Sequence, residues 1–183
     1  MLNDKKIRDA LISRLLNRKL SRNNIFEEIA VKRGLGIADV VANFRTPHCY
    51  EIKSDVDSLT RLKAQSEYFS DAFKKVTLVT TKKHLTKAEL IVPEWWGITI
   101  AEQKKDKVTL KSHRKSGLNP KNTTTDLLSM LWNNELKSAL NSLNVSFKSS
   151  DNRALLVNKL ASSTSQKNAE KIFVQTMSER QKN

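Results

Sequence analysis

The chain has 183 residues, 38% of them hydrophobic and 28% charged, and its 33 basic and 19 acidic side chains give a formal charge of +14. That length suits one domain, or one domain with a small appendage, and the apolar fraction excludes disorder throughout. The charge points to a polyanionic partner, nucleic acid before an anionic membrane. A single cysteine, Cys49, excludes an intramolecular disulfide framework and a multi-cysteine zinc site. No apolar run approaches the roughly 18 residues of a membrane span. Met1-Leu2-Asn3-Asp4-Lys5-Lys6 is charged where a signal peptide needs its apolar core, so no membrane association and a cytoplasmic location are expected. No phosphate-loop or dinucleotide glycine motif is present, which argues against a nucleotide-driven motor.

Residues 4–20 read as a helix, with Ile7, Leu11, Leu15 and Leu16 as its apolar stripe and Asn3 or Asp4 as its cap. Residues 25–31, 37–44 and 49–53 are short β-prone runs parted by Gly34, Gly36 and Thr46-Pro47, which predicts a three-strand meander. A helix over about 58–73 carries Leu59, Leu62, Phe69 and Phe73. Residues 76–81 are too β-branched for a comfortable helix, so strand, helix and strand form a βαβ crossover. Pro93 to Gly97 is a turn, and residues 98–101 and 108–110 form a last hairpin. Residues 112–124 read as a linker or an edge loop, and the remainder as helices near 124–142, 151–161 and 166–179.

The chemistry concentrates on the meander. Glu51 and Lys53 are two apart on a strand and share a face, while Ile52 faces the core. Asp39 lies on the preceding strand, in the apolar run Ile37-Ala38-Asp39-Val40-Val41, where an unpartnered carboxylate is costly. Antiparallel pairing can bring Asp39 and Glu51 to one point, with Lys53 beside them. Two carboxylates suit Mg²⁺ or Mn²⁺. Such an ion activates water and stabilises charge growing on a phosphate, and the ammonium can orient that water or neutralise the phosphate. On its own, Glu-x-Lys is also what a solvated cross-strand charge pair looks like.

Asp39 followed by Glu51-Ile52-Lys53, set within helix, three strands, helix and strand, resembles the PD-(D/E)XK nuclease superfamily over residues 4–100. That superfamily includes restriction endonucleases, Holliday-junction resolvases and RecB-like exonucleases. The resemblance implies an α/β restriction-endonuclease-like core, a central mixed sheet flanked by helices. It implies Asp39, Glu51 and the Ile52 carbonyl as metal ligands, Lys53 as the catalytic lysine, and an upstream acid. Glu28 fits that acid, with Glu27 and Asp4 as alternatives. Gln65 and Tyr68 match polar residues that RecB-like members carry on the following helix. Arg61, Gln65 and Tyr68 share one helical face, which can meet the metal site or a phosphate. The ordered runs Glu51 to Asp55, Asp57 to Leu62, Gln65 to Tyr68 and Pro93 to Gly97 resemble small bacterial and phage-type members. Two positions depart from the pattern: Ala38 stands where the superfamily has Pro, and Ile37 where the closer members tend to have Arg.

Residues 134–145 and 151–160 resemble the helix–extended loop–helix of SAP-type DNA-binding modules. The resemblance implies a small core of Leu136, Leu140, Leu143, Leu155, Leu156 and Leu160, with Lys148 and Arg153 facing phosphate; the usual Gly before the second helix is absent. The expected organisation is therefore a nuclease-like core over residues 1–118 and a small all-α module over 119–183. The expected function is metal-dependent phosphodiester hydrolysis on nucleic acid, DNA before RNA. The alternative is a non-catalytic DNA-binding or interaction protein of the same fold. A toxin or immunity partner is a third class, and a homodimer or protein partner is open. His48, His84 and His113 are scattered without metal-ligand spacing, Cys49 reads as a small buried side chain, and one of Trp95 and Trp96 reads as core.

Overall fold

The computed structural model describes residues 1–121 and 123–181. In chain order it contains α1 (Asp4–Asn17), β1 (Ile25–Val31), β2 (Gly36–Asn43), β3 (Pro47–Lys53), α2 (Leu62–Ala72), β4 (Lys75–Thr80), α3 (Leu85–Ile91), β5 (Gly97–Lys104), β6 (Lys107–Arg114), α4 (Thr124–Leu128), α5 (Asn133–Ser142), α6 (Arg153–Ser162) and α7 (Gln166–Arg180). The strands form one mixed six-stranded sheet in the order β1-β2-β3-β4-β5-β6. The first three are the expected antiparallel meander. Pairing turns parallel from β3 to β4 and from β4 to β5, because α2 and α3 are crossover helices. The β5–β6 pair closes the sheet as an antiparallel hairpin, longer than the expected four- and three-residue strands. The protein is thus α/β, a mixed sheet flanked by helices. Among the described residues no helix is long and apolar enough to cross a membrane.

Each face of the sheet buries its own cluster. On one face Ile7, Leu11 and Leu15 of α1 pack with Val40, Ala42, Tyr50, Ile52, Val79 and Ala101. Asn3 starts α1 by accepting from the Lys6 N–H at 3.0 Å. Leu16, expected in the stripe, is exposed: it lies about 100° round the helix from Leu15, and only one of the two can face the sheet. On the other face Leu62, Phe69 and Phe73 of the α2 segment join Phe26, Val41, Leu78, Ile98 and the buried Trp96. The same cluster continues into Leu128, Leu140, Leu156, Leu160 and Phe173 of the C-terminal helices.

Four local differences from the sequence expectation have physical causes. The helix expected from 58 begins at Leu62, because the Asp57 carboxylate accepts from the Ser54 N–H at 2.7 Å and from the Ser54 hydroxyl and holds a turn in competition with the helix. Helix α3 has no counterpart in the sequence expectation; it is two turns long and only Ala88 is buried, so it writes no apolar stripe. The linker or edge loop is pinned at the end of α2. The Asn119 amide donates to the Ser70 and Phe73 carbonyls, and the Thr123 N–H donates to the Asp71 carbonyl at 2.9 Å. Asn122 of that segment lies outside the described residues.

The helix expected over 124–142 is two helices, and the break is built by two arginines. Glu135 accepts from the Trp132 N–H at 2.6 Å and opens α5. The carbonyls left behind α4 are taken by Arg153, on Ser129 and Leu131 at 2.5 and 2.8 Å, and by Arg180, on Met130 at 3.2 Å. Arg180 also pairs with Glu135 and lies 4.0 Å over the Trp132 ring. Arg153 was expected to face phosphate; its guanidinium is instead committed to backbone carbonyls, while Lys148 is exposed. Of the expected SAP-like core, Leu136, Leu140, Leu156 and Leu160 are buried, and Leu143 and Leu155 are exposed. Arg153→Ala should cost about 1–3 kcal/mol by stripping carbonyls of their donor, and should lower Tm by about 2–4 °C for each kcal/mol. Lys148→Ala should stay within about 0.5 kcal/mol. Thermal unfolding of the two variants checks this, and equal Tm values would contradict the capping role.

Candidate metal centre

The site lies where two strand ladders let go of Asp39. Between β2 and β3 the paired residues run from Asn43↔Pro47 to Val40↔Tyr50 and stop there. One residue on, Asp39 Oδ2 accepts from the Ile52 N–H at 2.7 Å, so a side chain takes over the bond that a backbone carbonyl would make. Between β1 and β2 the pairs Glu27↔Val40 and Ile29↔Ala38 flank Asp39, but Glu28 opposite it is unpaired. Glu28 has a φ of 55°, a left-handed conformation costly for a residue with a Cβ and often found at functional sites.

Arg8 of α1 fills the gap this leaves. Its Nη1 donates to the Asp39 carbonyl and its Nη2 to Asp39 Oδ1, both at 3.2 Å. The same guanidinium bonds Asp4 at 3.1 Å and lies 3.5 Å from Glu28 and 3.9 Å from Glu27. Desolvation opposes the Arg8 charge, and Asp4, Asp39 and Glu28 more than offset it, so its pKa is raised. Sequence reasoning missed Arg8. Its only trace was the four-residue spacing from Asp4, which on a helix points equally to an ordinary surface pair.

Glu51 and Lys53 leave β3 on one face, as the strand period requires, and this is the face that α2 covers. Glu51 is 1% exposed. Its Oε1 accepts from the Lys53 ammonium, and its Oε2 is buried with no hydrogen-bond partner. Burial, and next the Asp39 charge, push the Glu51 carboxyl up to about 8, against the pull of Lys53. Burial also raises Asp39, opposed by the Ile52 N–H and Arg8.

Helix α2 closes the site from above. Gly36 lets it approach: a Cβ there would sit 3.2 Å from Tyr68 Cδ2 and 3.3 Å from Phe69 Cε1. Arg61, Gln65 and Tyr68 then line one cavity of about 610 Å³ together with Asp4, Arg8, Glu28, Asp39, Glu51, Ile52 and Lys53. Arg61 is exposed at the rim. Gln65 contributes a second buried, unpartnered acceptor, its Oε1. Of the three candidates for the upstream acid, Glu28 and Asp4 line the cavity, whereas Glu27 is bonded to Arg22 at 2.6 Å. Glu28 is 72% exposed. Lys148 and Arg153, on the C-terminal segment, are not among the residues lining this cavity.

Among the described residues no group of three or more His, Cys, Asp or Glu side chains is gathered to hold a metal ion. The available donors are two carboxylates and the Ile52 carbonyl. The chemistry of that set still fits a hard cation that keeps several waters, because two buried oxygens, Glu51 Oε2 and Gln65 Oε1, lack a donor and buried acceptors ordinarily have one.

The proton affinity of Glu51 has a measurable consequence. A carboxyl whose pKa rises from 4.5 in the unfolded chain to about 8 in the folded one binds protons more tightly when folded. Its contribution to stability therefore falls as pH rises through that window. His48 has the opposite sign but acts only below its unfolded value of 6.5. Urea unfolding of the metal-free protein should give a stability that declines from pH 6.5 to 8, and Glu51→Gln should remove most of the decline. An equal slope in the variant would contradict the burial of that charge.

The sequence profile of the family described as bacteriophage P4 protein cII matches residues 1–183. Protein cII of Enterobacteria phage P4 is 29% identical over 157 residues, which are 85% of this chain and 60% of that protein. The chain thus spans about 60% of the length of the curated relative it matches. A solved structure of a protein of unknown function from Silicibacter pomeroyi is similar with a TM-score of 0.48, at 14% identity, over 64% of this chain and 74% of that one.

Proposed function

The chain belongs to the bacteriophage P4 protein cII family, and we propose that it is a metal-dependent nuclease of PD-(D/E)XK type that hydrolyses phosphodiester bonds of nucleic acid, DNA before RNA. The observation that carries this reading is the buried, unpartnered Glu51 Oε2 beside Asp39, in one cavity with Lys53, Gln65, Tyr68 and Arg61. A fold that keeps a carboxylate dry and half-satisfied bears a cost with no structural return, and a cation would remove that cost.

In this reading Asp39, Glu51 and the Ile52 carbonyl hold Mg²⁺ or Mn²⁺, with Glu28 at the exposed side of the cavity. A bound divalent ion supplies a water of lowered pKa and positive charge against the phosphate. The Ile52 N–H and Arg8 fix the Asp39 carboxylate, so that the donor set is rigid before an ion arrives. Lys53 pulls Glu51 toward its anionic form against burial, and its ammonium neutralises charge on the scissile phosphate. Gln65 and Tyr68 orient groups over the site, and Arg61 at the rim anchors a phosphate. Around this restriction-endonuclease-like core over residues 1–118, the helices of 119–183 serve as a SAP-like accessory in which the exposed Lys148, unlike Arg153, can meet phosphate. The formal charge of +14 adds sequence-independent attraction for a polyanion.

One observation favours a second reading, a non-catalytic nucleic-acid-binding protein of the same fold. Both Asp39 oxygens are already bonded, by Arg8 and by the Ile52 N–H, as they are in a carboxylate that only ties strands together.

Incubation with labelled DNAs and RNAs in Mg²⁺, Mn²⁺ or EDTA decides between the two. The nuclease reading expects cleavage with either ion and none with EDTA. Asp39→Asn and Glu51→Gln should each slow cleavage by at least about 100-fold. Lys53→Ala should slow it as much while changing affinity by no more than about 3-fold, since one phosphate contact is a small part of the attraction. Binding without cleavage of any substrate under any ion would establish the second reading instead.

A further inference from the structure

A second cavity, of about 550 Å³, lies on the other face of the sheet, beneath the C-terminal half of α1. Six cationic side chains line it, Arg14, Arg18, Arg45, Lys75, Arg114 and Lys115, and no carboxylate does. Among the described residues none of the six forms an ion pair. Two are held in place by backbone carbonyls that leave their charge uncompensated. Arg14 donates to Leu110 at 3.1 Å, and Arg114 donates to Trp96 and Pro93 at 2.8 and 3.2 Å. Arg18, Arg45 and Lys115 are exposed at the mouth, and Lys75 is half-buried in the wall.

The floor of this cavity is neutral. His48 bonds the Thr77 hydroxyl at 2.8 Å and the Tyr50 hydroxyl at 3.3 Å, and stacks on the Tyr50 ring at 4.3 Å. Burial, and then the charges of Lys75 and Arg18, push His48 down to about 3, so the imidazole adds no charge of its own at neutral pH. At the lip, Phe44 is 43% exposed and offers a ring on which a base can stack.

A concavity ringed by one sign of charge on low-dielectric walls focuses potential and collects the opposite ion. Guanidinium forks match phosphate oxygens in geometry as well as charge. The volume is that of a site for a nucleotide-sized ligand. A duplex presents its phosphates on a convex surface, whereas a terminal phosphate can enter. We propose that this cavity binds a terminal phosphate, either of a nucleic-acid strand or of a free nucleotide. It is distinct from the candidate metal centre. His48 and Lys53 stand at opposite ends of β3, about 17 Å apart at about 3.3 Å per residue, and their side chains leave opposite faces of the sheet.

The test is fluorescence anisotropy on the full chain in EDTA, so that the carboxylate site and any cleavage play no part. The probe is a short single-stranded DNA labelled at its 3′ end, bearing either a 5′-phosphate or a 5′-hydroxyl, with a nucleoside triphosphate and inorganic pyrophosphate as competitors. At least about 10-fold tighter binding of a phosphate-bearing ligand is expected, with Asp39→Asn unaffected and the difference lost in Arg18→Glu/Arg45→Glu. Both positions are exposed, and Lys115→Glu provides a second variant that should lose part of the same difference. A preference for the phosphorylated strand identifies a strand terminus as the ligand. Tight binding of the triphosphate without that preference identifies a free nucleotide. Equal affinity for both strands with no displacement by either competitor would overturn the proposal, as would a preference that survives all three charge reversals.

Discussion

Two carboxylates, the half-buried Asp39 and the buried Glu51, lie side by side, and much of the architecture exists to make that possible. A buried charge that lacks a partner costs several kcal/mol. The chain offsets the cost with donors drawn from three directions: the Ile52 N–H from the next strand, Lys53 from the same strand and Arg8 from the helix on the far face. Each donor demands something of the fold. The β2–β3 ladder must end at Val40 so that the Ile52 N–H is free. The β1–β2 ladder must open at Glu28, at the expense of a left-handed residue in mid-strand. Helix α1 must lie with Ile7, Leu11 and Leu15 on the sheet, which sets where Arg8 can reach. The offset is incomplete, because Glu51 Oε2 is left without a donor.

The order of elements was legible because it rests on local signals. Short β-prone runs parted by turn residues in 25–53 and β-branching in 76–81 mark strands, and the apolar spacing of 58–73 marks the crossover helix. The pairing of Glu51 with Lys53 on one face follows from the strand period alone. What was not legible depends on long-range contacts. Arg8 acquires its partners only when α1 crosses the sheet, and a helix surface of mixed charge gives no hint of this. The split of residues 124–142 into α4 and α5 is imposed by Arg153 and Arg180, which lie far along the chain. For that reason Arg153 read as a surface cation in the sequence and is a backbone cap in the fold. Helix α3 is too short and too exposed to write a periodic pattern.

Charge is distributed unevenly over this basic protein. One cavity, closed by α2, gathers five acids, Asp4, Glu28, Asp39, Glu51 and Asp57, together with Arg8, Lys53 and Arg61, while the cavity beneath α1 gathers six cations with no acid among them. The mixed lining offers carboxylate oxygens to a cation and guanidinium and ammonium groups to a phosphate, whereas the cationic lining suits an anion alone. The two cavities therefore differ in the partners they suit, and they lie on opposite faces of the sheet.

We propose that the unsatisfied carboxylate of Glu51 is a cation site. The most direct measurement is calorimetric titration of the nucleic-acid-free protein with Mn²⁺, beside Glu51→Gln and Asp39→Asn. Saturable binding is expected in the native chain, with its loss in both variants and their folds retained. Native binding that survives both substitutions, or a folded native chain that takes up no Mn²⁺, would contradict it.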